Sequence, residues 1–135
     1  MTVQFSTTVR NGMLDAIETS MGVSAKLQLY TGAMPANCAT AASGTKLAEF
    51  ALASDWAAAA SGGSKALSSV PLSVATLAPG TAGYYRFVDS AGTTCHEQGT
   101  VTLTGGGGDM TIDNTTFTSG QTVQVTGFTK TAPGA

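Results

Sequence analysis

At 135 residues the chain has room for one domain with a real core and not for two. A formal charge of −2 and six scattered basic residues (Arg10, Lys26, Lys46, Lys65, Arg86 and Lys130) exclude a nucleic-acid binder, which needs clustered Lys and Arg. Only 10% of residues are charged, against about 25% in ordinary soluble domains, so Ala, Gly, Ser and Thr must supply an unusually neutral surface.

Such a surface suits packing against other proteins, where burying Lys or Glu is costly. The 42% hydrophobic content still supports a core. No apolar run approaches the roughly 20 residues of a membrane span. The start, Met1-Thr2-Val3-Gln4-Phe5, lacks the basic and apolar regions of an export signal, which places synthesis in the cytoplasm. Cys38 and Cys95 are therefore expected as reduced thiols; a disulfide after release from the cell is compatible with the sequence, and spacing does not decide it.

Along the chain, Val3 and Phe5 read as an edge strand or an extended arm over residues 1–6. Ser6 or Thr7 offers a cap to a helix carrying the stripe Val9, Met13, Leu14, Ile17 and Met21, with Arg10, Asp15 and Glu18 off it and Gly22 as its stop. The stripe reads as core packing, with a partner-binding face as the alternative. Residues 26–30 (KLQLY) alternate as a half-buried strand with Leu27 and Leu29 on one face. Residues 31–45 contain no large aliphatic side chain apart from Met34 and exceed the usual connection of about 4–6 residues. Leu47, Phe50 and Leu52 mark a second strand. Asp55-Trp56 opens a turn or short helix, with Trp56 covering the core or, if exposed, anchoring an interface. Residues 66–77 read as an edge or bulged strand broken at Pro71.

From Gly83 to Thr131, residues 84–88, 95–103, 110–113 and 122–129 read as consecutive strands separated by Gly/Asp/Ser turns, the pattern of an antiparallel meander. Residues 132–135 read as a loose tail. The expectation is one mainly β domain over 1–135, an antiparallel sandwich or barrel-like meander with one N-terminal amphipathic helix.

Catalytic and metal-site patterns are weak. Cys95 and His96 are adjacent on a strand and point to opposite faces, so they do not form a dyad; Cys95 is expected inward with Val101 and Leu103, and His96 outward with Gln98 and Thr100. Asp109, Asp113 and Asn114 are too few oxygens for calcium and read as a solvated loop. Two Cys and one His do not match zinc spacing. The run Gly105–Gly108 lacks the Gly-Lys-Ser/Thr of a phosphate loop and reads as a tight connection, or as a place where another subunit approaches. No enzyme activity, cofactor or metal is expected.

The stretch GYYRFVDSAGTTCHEQGTVTLTGGGG, continued through DMTIDNTTFTSGQTVQVTGFT, resembles the C-terminal half of small proteins encoded by tailed bacteriophages and prophages. The Phe-Ser start, the helix RNGMLDAI and the segment KLQLYTGAMP are similar to theirs as well. The resemblance implies a non-enzymatic virion structural protein and carries over no functional residues. Within a particle, the neutral Thr-rich composition favours a capsid decoration or cement protein that binds the major capsid protein or other virion proteins. It would act as a homo-oligomer, a trimer for preference, on the capsid surface. The expected contacts are Val3, Phe5, Met34, Pro35 and Trp56. The alternatives are a tail, baseplate or fibre component, and a host-surface or carbohydrate-binding module stacking sugars on Tyr84, Tyr85 and Trp56.

Overall fold

The structure, a computed structural model, describes residues 3–135. In chain order these form α1 (Thr7–Met21), β1 (Lys26–Thr31), β2 (Lys46–Ala51), β3 (Ser64–Ala66), β4 (Leu72–Ala75), β5 (Gly80–Val88), β6 (Cys95–Leu103), β7 (Met110–Ile112), β8 (Thr116–Phe117), β9 (Thr122–Val125) and β10 (Thr129–Thr131). The protein is mainly β with one N-terminal helix, and its sheets do not close into a barrel. The main sheet runs β2-β1-β5-β6-β7, with β8 against the start of β5, while β10–β3 and β4–β9 are separate two-stranded ribbons.

Period-two alternation sets the core face of that sheet. Leu27 and Leu29 of β1 lie opposite Phe50 and Ala48 of β2 and opposite Phe87 and Tyr85 of β5. All six are buried, in one cluster with Leu67, Phe117, Val123 and Val125. Burial of each large apolar side chain contributes about 1.5–3 kcal/mol, so this face is a main source of the fold's apolar stabilisation. Trp56 belongs to the same cluster. It stacks on Phe87 with ring centroids 5.6 Å apart and donates Nε1–H to the Gly22 carbonyl at 3.1 Å. At the rim, Lys130 pairs with Glu97 and sits 4.6 Å from the ring centroids of both Phe87 and Phe128. Burial pulls the Lys130 amine below the usual lysine range, and Glu97 opposes that shift.

The helix begins and ends where its caps require. Ser6 Oγ accepts from the Val9 amide at 3.3 Å, and Gly22, at φ +82°, donates its N–H to Glu18. Its expected core stripe is only partly inward: Leu14 and Met21 are buried and Ile17 is half-buried, but Val9 and Met13 are 47% and 38% exposed. The helix is rolled toward the polar residues beside that stripe. Asn11 accepts from the Gly63 amide at 2.8 Å, Asp15 from the Ala60 amide at 3.0 Å, and Lys65 of β3 lies 2.8 Å from Asp15 and 2.7 Å from Glu18. A buried ammonium is costly unless paired, so Lys65 turns the Asp15 and Glu18 side of the helix toward β3. Burial acts to lower its pKa, yet the two carboxylates hold it above the usual lysine range.

Residues 132–135, expected as a loose tail, are fastened to the same junction. The Ala132 amide donates to the Gly63 carbonyl at 3.0 Å, and the buried Arg10 donates from Nε and Nη2 to the Ala132 carbonyl at 3.2 and 2.9 Å. β10 pairs with β3, on which α1 docks, so the chain leaves β10 where helix and ribbon meet. The Phe5 amide donates to the Gly134 carbonyl at 2.8 Å, which ties the expected arm to that tail. Residues 1 and 2 of the arm lie outside the described residues.

The meander holds only for β5 and β6. β7 pairs with β6 in parallel, Val101 opposite Met110 and Leu103 opposite Ile112, while β9 pairs with β4 and β10 with β3. Parallel neighbours normally need a long crossover. Here the glycine run folds back along β6 instead. Gly105 and Gly107 take φ +87° and +81°, the Gly106 amide donates to the Leu103 carbonyl at 2.8 Å, and the Gly108 amide donates to Thr102 Oγ1 at 3.0 Å. Asp109 closes the fold by accepting from the Thr100 amide and hydroxyl, both at 2.9 Å. A Cβ on Gly106 would stand 2.8 Å from the Thr102 side chain and 2.9 Å from the Leu103 carbonyl. The bare backbone thus admits the chain's own β6. Gly106→Ala is predicted to cost about 1–3 kcal/mol in chemical denaturation through this overpacking. Gly127→Ala, which meets nothing within 4 Å, should stay within about 0.5 kcal/mol of wild type.

Candidate functional site

The face of the main sheet turned away from the core is polar and nonetheless covered. Glu49, Gln28, Arg86 and Gln98 form one row across β2, β1, β5 and β6, and Tyr30, Tyr84 and Thr100 form part of the next. Gln28 and Arg86 are 3% and 5% exposed because residues 32–45 lie over them as a flap. Arg86 Nη2 donates to the Thr40 carbonyl at 2.6 Å and to Gln98 Oε1 at 2.9 Å, and Gln98 Nε2 donates to the Pro35 carbonyl at 2.8 Å. Tyr84 donates its hydroxyl to the Ser43 carbonyl at 2.5 Å and accepts from the Ser43 amide at 3.0 Å. Its ring stacks on Tyr30 with centroids 5.2 Å apart.

Toward β2 the row continues as an ion-pair chain. Glu49 accepts from Gln28 at 2.7 Å and from Lys46 at 2.9 Å, with Lys26 at 3.6 Å. The Lys46 contact leads in holding the Glu49 carboxyl below its ordinary range, with Gln28 and Lys26 adding to it and burial opposing it. Between flap and sheet remains an open cleft of about 230 Å³, lined among others by Gln28, Tyr30, Cys38, Thr40, Arg86 and Cys95.

Cys95 lies in this cleft, contrary to the expectation that it packs inward with Val101 and Leu103. A register shift between Phe87 and Val88 sets Cys95 opposite Val88 while Glu97 stays opposite Phe87. That bulge reverses the alternation, so Cys95 shares the face of Arg86 and Gln98. Leu103, the other expected core neighbour, is exposed, and Val101 is buried. His96 is exposed and lines a shallow cleft with Met13, Ile17 and Ser20. Among the described residues no three His, Cys, Asp or Glu side chains converge as metal ligands. Asp109 is engaged by Thr100, Asp113 by Thr104 and Asn114 by the Thr116 amide.

Of the residues expected at an interface, Val3, Phe5 and Met34 are 54%, 37% and 39% exposed. Pro35, within the flap, and Trp56, in the core, are both buried, so neither offers free surface. Tyr84 and Tyr85 are buried as well, which removes the stacking patch proposed for sugars. Alternation places Gln28 and Arg86 off the core face, but no residue-type pattern announces that the flap covers them. Among the described residues no helix is long and apolar enough to cross a membrane. Comparison with protein-family models, curated proteins and solved structures returns no match.

Arg86→Met leaves the Thr40 carbonyl and Gln98 without their donor and should cost about 1–3 kcal/mol in urea denaturation; an unchanged midpoint would show the flap to be independent of it. Four carboxyls sit below their ordinary range: Asp15 chiefly through Lys65, Glu49 through Lys46, Asp89 through the Thr93 amide, and Asp109 through the Thr100 amide. Groups depressed on folding stabilise the protein above the unfolded pKa of about 4, and that contribution is lost as pH falls through their folded values. The melting temperature should therefore fall steadily from about pH 5 to about pH 2, and more shallowly in Asp109→Asn.

Proposed function

We propose that the protein is a non-enzymatic structural component of a bacteriophage particle, a capsid decoration or cement protein that binds the major capsid protein shell and stiffens the head. The observation that carries this reading is the placement of charge. All six basic side chains have partners in the chain, four of them largely covered and Lys26 and Lys46 partly exposed: Arg10 with Ala132, Lys26 and Lys46 with Glu49, Lys65 with Asp15 and Glu18, Arg86 with Thr40 and Gln98, and Lys130 with Glu97. Apart from a few exposed carboxylates such as Asp55 and Asp113, the outer surface is largely Ala, Gly, Ser and Thr, interrupted by exposed apolar side chains. Such a surface can be covered by another protein without stripping water from free cations.

The apolar contacts favoured for the shell are Val9 and Met13, four residues apart on one side of α1, with Val3 and Phe5 just before the helix. Met34, on the tethered flap, offers a second contact. Oligomerisation, as a trimer for preference, multiplies individually weak contacts through avidity.

Quantitative mass spectrometry of purified particles tests the role. A copy number comparable to that of the shell subunit is expected, whereas a handful of copies or confinement to the tail would assign the protein to the tail, baseplate or fibre instead. Met13→Asp should leave the melting temperature within about 2 °C of wild type, because the side chain is exposed, yet weaken binding to undecorated shells at least about tenfold.

A further inference from the structure

We propose that Cys38 and Cys95 are partners in an intramolecular disulfide that locks the flap of residues 32–45 to the start of β6 when the protein meets an oxidising medium. The two thiols are half-buried, free, and line the same cleft although far apart in sequence. Each is held there by separate tethers. The backbone around Cys38 is pinned by Gln98 to the Pro35 carbonyl at 2.8 Å and by Arg86 to the Thr40 carbonyl at 2.6 Å. Cys95 is fixed by its pairing with Val88 after the bulge, and its Sγ–H donates to the Glu97 carbonyl at 3.4 Å. The same bulge that removes Cys95 from the core therefore turns it toward Cys38.

Burial, followed by the facing Cys38 thiol, pushes the Cys95 thiol up to about 12. Only an ionised thiol can open the exchange, and either cysteine of the pair can do so; the route through the flap begins at Cys38. Cys38 gives its proton to solvent and its thiolate attacks one sulfur of a small-molecule disulfide such as oxidised glutathione. That S–S bond breaks and the departing thiolate takes up a proton. Cys95 then loses its proton and attacks the Cys38 sulfur of the mixed disulfide, expelling the second small thiol. Two electrons pass from the cysteine pair to the oxidant, which ends as two thiols. The cross-link restricts the unfolded chain across a long loop and fixes the flap that carries Met34. This inference stands on the cleft alone and does not depend on the particle assignment.

The test is incubation of the purified full-length protein with oxidised glutathione at mildly alkaline pH, followed by intact mass measurement under denaturing conditions with and without iodoacetamide. The expected product is a monomer lighter by two hydrogens that takes up no iodoacetamide, with peptides joined through Cys38 and Cys95. Its melting temperature should rise by on the order of 10 °C, and elastase cleavage among residues 36–43 should slow about tenfold. Cys38→Ser, in the flap, should melt with the reduced wild type and show none of these changes. Two thiols still open to alkylation, a persistent glutathione adduct on Cys38, or cross-linked dimers would each overturn the proposal.

Discussion

A guanidinium buried against a β-sheet must find acceptors to replace water, and Arg86 finds them in the main chain of a loop. The hydrogen bonds run from Nη2 to the Thr40 carbonyl and to Gln98, and Gln98 in turn reaches the Pro35 carbonyl, while Arg86 Nε is buried without a partner. A buried charge left without such partners costs several kcal/mol, while each neutral hydrogen bond contributes only about 0.5–1.5 kcal/mol net. The flap over residues 32–45 is therefore part of the fold. Tyr84 repeats the device with Ser43, once as donor and once as acceptor. The sheet thus has two covered faces of different kinds, one closed by apolar packing and one by carbonyl oxygens.

The same economy governs the remaining charges. Lys65 anchors α1 through Asp15 and Glu18, Arg10 holds the C-terminal segment, and Lys130 caps the aromatic cluster beside Glu97. In a chain with 10% charged residues, this leaves a surface whose chemistry is mostly hydroxyl, methyl and backbone, with isolated carboxylates such as Asp55 and Asp113. Surfaces of that kind attract little by long-range electrostatics; they work through close fit and multiplicity. That physical character, rather than any cluster of reactive groups, underlies the structural role proposed for the protein in a particle.

Much of the fold was legible in local pattern. Leu27 and Leu29 alternate into the core, the strand over residues 95–103 falls where β-branched residues and turn signals place it, and Ser6 and Gly22 bound the helix. What was not legible depends on partners distant in sequence. The roll of α1 follows from Lys65, some fifty residues away from Asp15, so a stripe drawn from α1 alone misplaces Val9 and Met13. The parallel pairing of β7 depends on glycines that read equally well as a simple turn. One bulge at Val88 reverses the side-chain alternation and carries Cys95 from the core to the cleft. The flap was recognisable as a long connection, but its tethers are backbone carbonyls, which look alike at every residue. Of the expected interface residues, Pro35 and Trp56 are buried for the same reason: their covering elements come from elsewhere in the chain.

Native-state hydrogen exchange of the reduced wild-type protein addresses the covered polar face most directly. The Ser43 amide, bonded to Tyr84, and the Thr45 amide, bonded to Thr31 Oγ1 at the flap's base, should exchange as slowly as the amides of β1 and β5. Exchange of both at the rate of the exposed connection over residues 53–55 would contradict a flap that is part of the fold.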